Sequence, residues 1–296
     1  MSPESKDSPE PGGSDGNAAA LRDARTELVS VVSELDHPEC VAWHDGALFC
    51  GTESGDLLRI SPPANDIELV ASTSGFLLGI AFEADRSCIA CDCGQGRLLR
   101  IGAKGGLEVI ADEVEGRRLV TPNYAVVAGD GTIWVTESGS GWEADNGYLF
   151  CLEPGQAPRI VDEECHRYPN GLALDEARGA LYVVEGRLPG VSRYGLAGGH
   201  LGPRTEYLHL PRTVPDGLAL DADGRLYVGC CRPDRVYVLE PDGALEVFLD
   251  DYTGEYLCTP TNLSFGGPCG KTLFLASLAG WSIKSIEVAV PGLAWA

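Results

Sequence analysis

Four side chains with oxygen donors recur at one position of a repeated sequence unit. Each follows a proline and precedes an apolar run, and the four are Glu39, Asn123, Asn170 and Asp216. Two carboxylates balance the charge of a dication, and two amide carbonyls complete its shell without added repulsion. Such a set predicts a divalent metal cation, with Ca²⁺ favoured and Mg²⁺, Mn²⁺ or Zn²⁺ as alternatives. Zn²⁺ ranks lower because it usually takes His or Cys, which the set lacks.

A simpler interpretation competes with the metal site. Asn and Asp favour turns for backbone reasons, and both Asn170 and Asp216 stand between a proline and a glycine. Any one of these segments alone therefore also fits a turn. Glu39 holds the same repeat position without a following glycine. The recurrence of an oxygen donor in four repeats favours the metal site.

The repeat unit itself consists of a turn, an apolar strand and a polar loop, and it occurs six times. The equivalent apolar positions lie about 40 to 48 residues apart, which is the period of propeller blades; they are Phe49, Ile89, Trp134, Tyr182, Tyr227 and Phe274. Asp-Gly pairs such as Asp45-Gly46 and Asp130-Gly131 predict tight hairpin turns between antiparallel strands. We therefore predict an all-β, six-bladed β-propeller of four-stranded antiparallel blades with a central metal site.

In a propeller the first strand of each blade lines the central channel. A polar residue at the start of that strand points at the mouth of the channel, where its equivalents from other blades converge. We call Glu39, Asn123, Asn170 and Asp216 the oxygen ring. The second repeat has Leu78 and Gly79 at this position, and the sixth has Asn262.

Composition limits the other possibilities. Residues 1–25 are rich in Ser, Pro, Gly and acidic residues, which predicts a disordered tail before a propeller domain of residues 26–296. No cationic start with an apolar run marks a secretory signal, so we expect a cytoplasmic protein. The net charge of −22 disfavours nucleic acid and anionic membranes as partners. The eleven cysteines are expected to be free thiols, and the oligomeric state is left open.

From about residue 28 onward, the chain resembles the senescence-marker-protein/gluconolactonase family of six-bladed propellers. The matching segments are Pro38-Glu39 with Trp43, Pro122-Asn123, Tyr168 to Ala173, Val214 to Ala219, and Pro260-Thr261-Asn262. The resemblance implies that Glu39, Asn170 and Asp216 are metal ligands. It implies that Asn123 is a fourth ligand or a substrate contact, and that Asp216 is the candidate general base.

Two departures from the family pattern concern substrate choice. The residue after the third-blade Asn is usually Asp, and it is Tyr124 here. The arginine that contacts sugar lactones in regucalcin-like members corresponds to Thr121. The metal ligands are retained, whereas the sugar-binding positions are not.

The predicted function is a metal-dependent hydrolase of a small-molecule lactone or ester. The cation polarises the carbonyl, water attacks it, and Asp216 acts as the base or orients the water. Loops on the same face supply further candidates: Thr121, Tyr124, Glu137, His166, Glu185 and Asn262 as pocket residues, with Trp142, Cys230 and Cys231 nearby.

Two alternatives stay open. The same metal propeller could carry out other small-molecule chemistry, namely organophosphate hydrolysis or a cyclisation or isomerisation, because a fold alone does not decide a reaction. The third possibility is a propeller that binds calcium without catalysis.

Overall fold

The computed structural model describes residues 21–293, which form six β-sheets arranged as blades around a central channel and one small two-stranded sheet. The predicted six-bladed propeller of four-stranded antiparallel blades is thus confirmed. The described part begins with a short helix, α1 (Ala24–Glu27), and strand β1 (Val29–Ser33). No helix among these residues is long or apolar enough to cross a membrane.

The first three blades follow in chain order. Blade one contains β2 (Cys40–His44), β3 (Ala47–Gly51), β4 (Asp56–Ser61) and β5 (Asp66–Ser72). Blade two contains β6 (Leu77–Phe82), β7 (Cys88–Asp92), β8 (Arg97–Ile101) and β9 (Leu107–Ala111). A small hairpin of β10 (Glu113–Val114) and β11 (Arg117–Arg118) precedes blade three, which contains β12 (Pro122–Val127), β13 (Ile133–Glu137), β14 (Tyr148–Leu152) and β15 (Arg159–Asp162).

The other three blades complete the circle. Blade four contains β16 (Pro169–Asp175), β17 (Ala180–Glu185), β18 (Gly190–Ala197), a short extension β19 (His200–Leu201) and β20 (Thr205–His209). Blade five contains β21 (Val214–Leu220), β22 (Leu226–Arg232), β23 (Asp234–Leu239) and β24 (Leu245–Asp251). Blade six contains β25 (Pro260–Gly266), β26 (Thr272–Ser277) and β27 (Ser282–Glu287), and its outer strand is β1.

The first strand of every blade lies innermost, as predicted. Each of β2, β6, β12, β16, β21 and β25 contacts the next one around the channel, and β25 contacts β2. The six equivalent apolar residues all lie on second strands opposite inner-strand residues; Trp134, for example, pairs with Val126, and Tyr227 pairs with Ala219. The repeat therefore aligns the six inner strands at one level.

Blade six is closed by residues from the two ends of the described chain. Strand β1 pairs antiparallel with β27, with Val29 opposite Ser285 and Ser33 opposite Ser282. Packing against the propeller begins at Arg22, among the residues assigned to the predicted tail. The Arg22 N–H donates to the Phe248 carbonyl at 2.7 Å, and Ala24 is buried. Residues 1–20 of the predicted tail lie outside the described residues.

The core is divided into six apolar clusters, one between each pair of neighbouring blades. Between blades three and four, for example, Trp134 is buried in one cluster with Leu181. Between blades six and one, Phe274 is buried in one cluster with Leu48. Burying an apolar side chain contributes about 1.5–3 kcal/mol, so each blade is stabilised by both neighbours. All eleven cysteines are free, as expected.

Candidate functional site

Asn170 and Asp216 lie within inner strands and not in turns. The glycine after each is required by a close approach between strands. A Cβ on Gly171 would lie 2.4 Å from the Asp216 carbonyl oxygen, and a Cβ on Gly217 would lie 2.6 Å from the Thr261 carbonyl oxygen. The turn interpretation is therefore wrong at these two positions. The glycines let the backbones of neighbouring blades touch at the level of the oxygen ring.

The inner strands of five blades change register at this level, as in a β-bulge. The shifts fall between Leu77 and Ile80, Pro122 and Tyr124, Pro169 and Leu172, Pro215 and Leu218, and Pro260 and Asn262. A bulge re-aims a side chain that a regular strand would direct elsewhere. The irregular backbone thus coincides with the positions that carry the polar residues. Glu39 lies immediately before the regular strand β2.

Asp216 lies in a network of neutral donors. The Cys231 thiol donates to Oδ2 of Asp216 at 3.1 Å, and the Asn170 side chain also hydrogen-bonds to this carboxylate. Burial raises the pKa of Asp216 to about 7, and the two hydrogen bonds offset only part of that shift. The structure therefore brings Asn170 and Asp216 together, as the sequence predicts.

Glu39 faces Asp216 from blade one. Burial, and secondly the charge of Asp216, raise the pKa of Glu39 well above its usual range. The Thr261 hydroxyl donates to the Glu39 carbonyl at 2.8 Å and also hydrogen-bonds to its side chain. The other carboxylate oxygen, Oε2, is buried and has no hydrogen-bond partner among the described residues. A buried carboxylate oxygen without a partner is costly unless a further group binds it.

Asn123 completes the oxygen ring from blade three. It is buried, and its amide nitrogen donates to the Ser138 hydroxyl at 2.9 Å. The amide carbonyl is therefore the atom that Asn123 can offer to a ligand. This contact favours a role as a metal ligand over a role as a hydrogen-bond donor to substrate.

The residues present fit a divalent cation. Two carboxylates approach each other, and no cationic side chain of the described residues acts on either. The unpartnered Oε2 of Glu39 supplies an acceptor without a donor. A cation held by these groups would reduce the repulsion between Glu39 and Asp216 and would bind the unpartnered Oε2 of Glu39.

Tyr124 and Asn262 lie together across the channel. Tyr124 belongs to blade three and Asn262 to the opposite blade six, and their side chains are hydrogen-bonded. Oδ1 of Asn262 also accepts the Val41 N–H at 3.3 Å. Burial raises the pKa of Tyr124 above its usual range. Both predicted pocket residues therefore lie in the channel interior.

Glu137 organises the loop beside the mouth. Its carboxylate accepts backbone N–H groups from Thr121 at 2.7 Å, Gly139 at 3.1 Å and Val120 at 3.3 Å. Burial nevertheless raises the pKa of Glu137 to about 7. The Thr121 hydroxyl donates to the Gly139 carbonyl at 2.8 Å. The Glu137 and Thr121 side chains both hydrogen-bond to the backbone of this loop. The Glu137 carboxylate is therefore not placed to present its charge to a substrate.

Glu185 and His166 lie away from the oxygen ring. The Glu185 carboxylate is buried and takes hydrogen bonds from Arg204 at 2.7 Å and from the Ser192 hydroxyl at 2.5 Å. These partners lie on the outer part of blade four, whereas the Glu185 backbone pairs with Pro169 beside Asn170. His166 is half-buried, and its Nδ1 lies 3.3 Å from the Glu163 carbonyl.

Sequence reasoning gave too little weight to Cys231 and Tyr168. The adjacent cysteines 230 and 231 end β22, and only Cys230 lies in the apolar core. Strand alternation could have separated the two. Tyr168 precedes the Pro-Asn-Gly segment, and burial followed by the charges of Asp216 and Glu39 raises its pKa to about 12. Its aromatic ring contacts that of Trp142 at 4.8 Å.

Two cavities flank the site. One of about 670 Å³ lies over blade five, and its lining includes Cys231, Arg212, Arg232 and Tyr252. The second, of about 530 Å³, lies further along the channel and is lined by Trp43, Phe82 and Tyr124 among others. Since Cys231 contacts Asp216 and also lines the first cavity, that cavity adjoins the oxygen ring.

Comparison with known proteins gives a family match over most of the chain. The model of a family described as the SMP-30/gluconolactonase/LRE-like region matches residues 37–279. Protein strictosidine synthase-like 6 of Arabidopsis thaliana is 25% identical over 215 residues, which cover 67% of this chain and 57% of that protein. The chain spans about half the length of the curated relatives that it matches.

Solved structures share the fold along most of the chain. A gluconolactonase from Xanthomonas campestris superposes with a TM-score of 0.76 at 22% identity, and 89% of each chain is covered. A calcium-binding regucalcin from Agrobacterium tumefaciens gives a TM-score of 0.73 at 15% identity, with 90% of this chain and 95% of that chain covered.

Proposed function

The chain belongs to the SMP-30/gluconolactonase/LRE-like family, and on this premise we propose that it is a metal-dependent hydrolase of a small-molecule lactone or ester. The observation that carries the proposal is the convergence of Glu39 and Asp216 at the channel mouth, with Oε2 of Glu39 left without a partner. A turn does not explain that arrangement. A purely structural carboxylate pair does not explain it either, because no cationic side chain of the described residues neutralises the two carboxylates.

Glu39, Asn170 and Asp216 would hold a divalent cation, with the carbonyl of Asn123 as a fourth donor. Such a cation would supply Lewis-acid chemistry: it would polarise the substrate carbonyl and increase the acidity of a bound water. The neighbouring structures include a regucalcin described as calcium-binding, which supports a metal in this type of propeller.

The protein's own groups would position the attacking water. In the reaction, the water oxygen would bond to the carbonyl carbon, the C–O bond to the ring oxygen would break, and a hydroxy acid would result. In the metal-free chain the pKa of Asp216 is about 7, because burial outweighs its two hydrogen bonds. A bound cation lowers that pKa. In that state Asp216 orients the water and a solvent molecule takes the proton.

The walls of the mouth favour a substrate with an apolar or aromatic part. The Thr121 hydroxyl is engaged by the Gly139 carbonyl, and Tyr124 is engaged by Asn262. Trp142 is 40% exposed, and its aromatic ring contacts that of Tyr168. Burial, and secondly the charges of Asp216 and Glu39, raise the pKa of the Tyr168 hydroxyl. This aromatic pair offers stacking area where polar sugar contacts would otherwise be needed.

A second candidate is bond-forming or isomerising chemistry at the same site. Several curated relatives bear strictosidine synthase-like names, at 22–25% identity, and another is an adipocyte plasma membrane-associated protein of Gallus gallus. The strictosidine synthase-like names favour a reaction other than hydrolysis. The aromatic pair of Trp142 and Tyr168 would also contact the substrate of such a reaction. A lactone that binds without turnover would shift the assignment to this candidate or to a non-catalytic metal-binding propeller.

The test is turnover of a panel of aliphatic, aromatic and sugar lactones by the full chain, with and without chelator. We expect chelator-sensitive hydrolysis that is strongest for the aromatic members. Glu39→Gln and Asp216→Asn should each lower kcat/KM by about 100-fold or more, because each removes a charge-bearing ligand.

The matched control is Glu53→Gln. Glu53 forms an exposed cluster on the same face with Asp36 and His37, in which the donor atoms lie within 4.8 Å of one another. If the cation acted from that cluster, Glu53→Gln would abolish turnover and Glu39→Gln would not. Turnover that survives both ring variants at full rate rejects the proposal.

A further inference from the structure

The cavity of about 670 Å³ beside the oxygen ring is lined by three arginines. Arg212 lies in the loop before β21, Arg232 is the last residue of β22, and Arg235 lies in β23. We call this space the blade-five cavity. Its lining contains one acidic residue, Asp234, whereas the whole chain has 44 acidic and 22 basic residues. The cavity is therefore a positively charged place in a strongly acidic chain.

Three acidic residues beside the cavity are already bound within the protein. Oδ2 of the buried Asp234 accepts the Thr259 N–H at 2.6 Å. Asp251 accepts three backbone N–H groups of the loop that follows it. Asp250 forms two hydrogen bonds with the Arg235 guanidinium, at 2.8 and 3.1 Å. Of the three carboxylates, only that of Asp250 is paired with a cavity arginine.

The other two guanidinium groups have no partner among the described residues. The side chains of Arg212 and Arg232 are exposed, and they form neither a hydrogen bond nor an ion pair there. Burial raises the pKa of Asp234, and the charge of Arg232 is only a weaker, opposing effect. A guanidinium keeps its charge at neutral pH and presents a planar fork of N–H groups that matches a carboxylate or a phosphate. Arg212 and Arg232 are therefore free to bind an anion.

Tyr252 adds an aromatic surface to the same cavity. Its side chain lines the cavity and is 75% exposed. The Arg235 guanidinium lies 6.0 Å from the centre of the Tyr252 ring and also donates to the Tyr237 hydroxyl at 3.3 Å. An aromatic ring that is held on one side and open on the other can stack on a planar ligand. The cavity thus offers free positive charge beside an exposed ring.

We propose that the blade-five cavity is the anion-binding part of the candidate active site, where Arg212 and Arg232 bind a carboxylate or phosphate group of the substrate. This inference rests on the proposed function and narrows the substrate to an anionic lactone or ester with an aromatic or apolar part. The volume of the cavity falls within the range of small-molecule pockets, about 300–1,000 Å³.

The position of the cavity lets one small molecule reach both the arginines and the oxygen ring. Cys231 lines the cavity, and its Sγ lies 3.1 Å from Oδ2 of Asp216. The net charge of −22 repels an anion from most of the surface, so an anionic substrate needs a local positive site. Arginines to one side of the ring would hold the anionic end and leave the carbonyl at the ring. They would therefore set the orientation of the substrate.

The first experiment measures anion binding without any metal. Benzoate and inorganic phosphate are titrated separately, by calorimetry, into the full chain after chelator treatment and dialysis. Arg212→Met and Arg232→Met should each weaken binding by about 10-fold or more, because each removes a hydrogen-bonding charge. The control is Arg167→Met. Arg167 is also exposed and has no side-chain partner among the described residues, but it does not line the cavity.

The comparison of the two anions identifies the group that the arginines bind. The anion with the lower Kd, benzoate or phosphate, is the one whose binding both substitutions should weaken most. Circular dichroism verifies that each variant folds. Where a methionine variant does not fold, lysine at the same position replaces it, since lysine keeps the charge and loses the planar fork.

The second experiment uses two aromatic lactones that differ only in one anionic group. Arg212→Met and Arg232→Met should each raise KM for the anionic lactone by about 10-fold and change kcat by less than about 2-fold, because the arginines bind ground state and transition state alike. Neither substitution should change KM for the uncharged lactone. Arg167→Met should leave both substrates unaffected.

Three outcomes would overturn the inference. Neither anion could bind the unmodified chain, Arg167→Met could weaken binding as much as the cavity variants do, or KM for both lactones could rise equally. Failure of the proposed function looks different. In that case neither lactone is hydrolysed by the unmodified chain, whereas binding of benzoate or phosphate still depends on Arg212 and Arg232.

Discussion

The side chains of Tyr124 and Asn262, on opposite blades, are hydrogen-bonded across the central channel. Asn262 is also tied to blade one by the Val41 N–H. The contact joins three blades in the channel interior, next to the oxygen ring. The residue that most clearly departs from the family pattern, Tyr124, thereby has a structural role that its neighbours in sequence do not reveal.

Tyr124→Phe should lower the free energy of unfolding by about 1–3 kcal/mol, because the buried Asn262 amide loses a partner. Chemical denaturation of the metal-free chain measures the change. Tyr252→Phe is the control, since Tyr252 is 75% exposed and its loss of a hydroxyl should cost little. Equal effects of the two substitutions would show that the cross-channel bond adds no stability.

The metal-free protein should become less stable as the pH rises from about 4 to about 7. The pKa of Asp216 is raised from 3.8 to about 7 in the folded chain, so the folded state holds a proton that the unfolded state releases. That stabilisation is complete below the unfolded pKa and is lost as the pH passes the folded one. The loss is on the order of 4 kcal/mol.

Thermal unfolding in chelator across this pH range tests the idea. Asp216→Asn should flatten the slope and raise Tm at pH 7.5, and it should also reduce the stabilisation given by added metal. A metal-free Tm that rises steadily from pH 4 to pH 7 would contradict the assignment.

Gly171→Ala and Gly217→Ala should each destabilise the fold by about 2 kcal/mol or more, because the new methyl overlaps the backbone of the next inner strand. Gly106→Ala is the matched control, since a Cβ there meets nothing within 4 Å. Its cost should be within about 0.5 kcal/mol. Denaturation midpoints measure all three. Tolerance of alanine at both ring-level glycines would mean that the inner strands can move apart.

Arg204→Met should destabilise the chain by about 3–5 kcal/mol, because it leaves the buried carboxylate of Glu185 without its cation. The double substitution with Glu185→Gln should recover much of the loss. Arg118→Met is the control: it breaks an exposed pair with Asp112 and should cost about 0–1 kcal/mol. A double-mutant cycle by urea denaturation gives the coupling. Additive effects would disprove the pairing.

The fold can be predicted from the sequence because each repeat contains residues with strong local preferences for strands and turns. Aromatic residues such as Trp134 recur at the blade period and alternate with polar residues, and Asp45-Gly46 marks a hairpin turn. Both residues of that turn have positive φ, as such a turn requires. The pattern does not predict how the propeller circle closes, because no local sequence feature indicates that Val29 pairs with Ser285.

The site was only partly predictable. The positions of Asn170 and Asp216 follow from the repeat, because each copy places the same residue at the same level. The partners of Glu185 do not, since Arg204 lies in the loop before β20, 19 residues further along the chain, and a loop of no fixed length carries it there. Cys230 and Cys231 were both named as candidates, because adjacent cysteines look alike in sequence, and only strand alternation separates a core thiol from one beside Asp216.

The pairing of β1 with β27 also sets an order of events during synthesis. Glu39 and Asp216 belong to blades one and five, and they meet only if blade six stands between those blades. Blade six needs a strand made near the start of the chain and three made at its end. A nascent chain that stops after blade five could form individual sheets, but it would leave both edges unpaired and its ligands apart. The oxygen ring is therefore complete only when blade six has closed the circle, and metal uptake at the ring, if the proposed function holds, would report that closure.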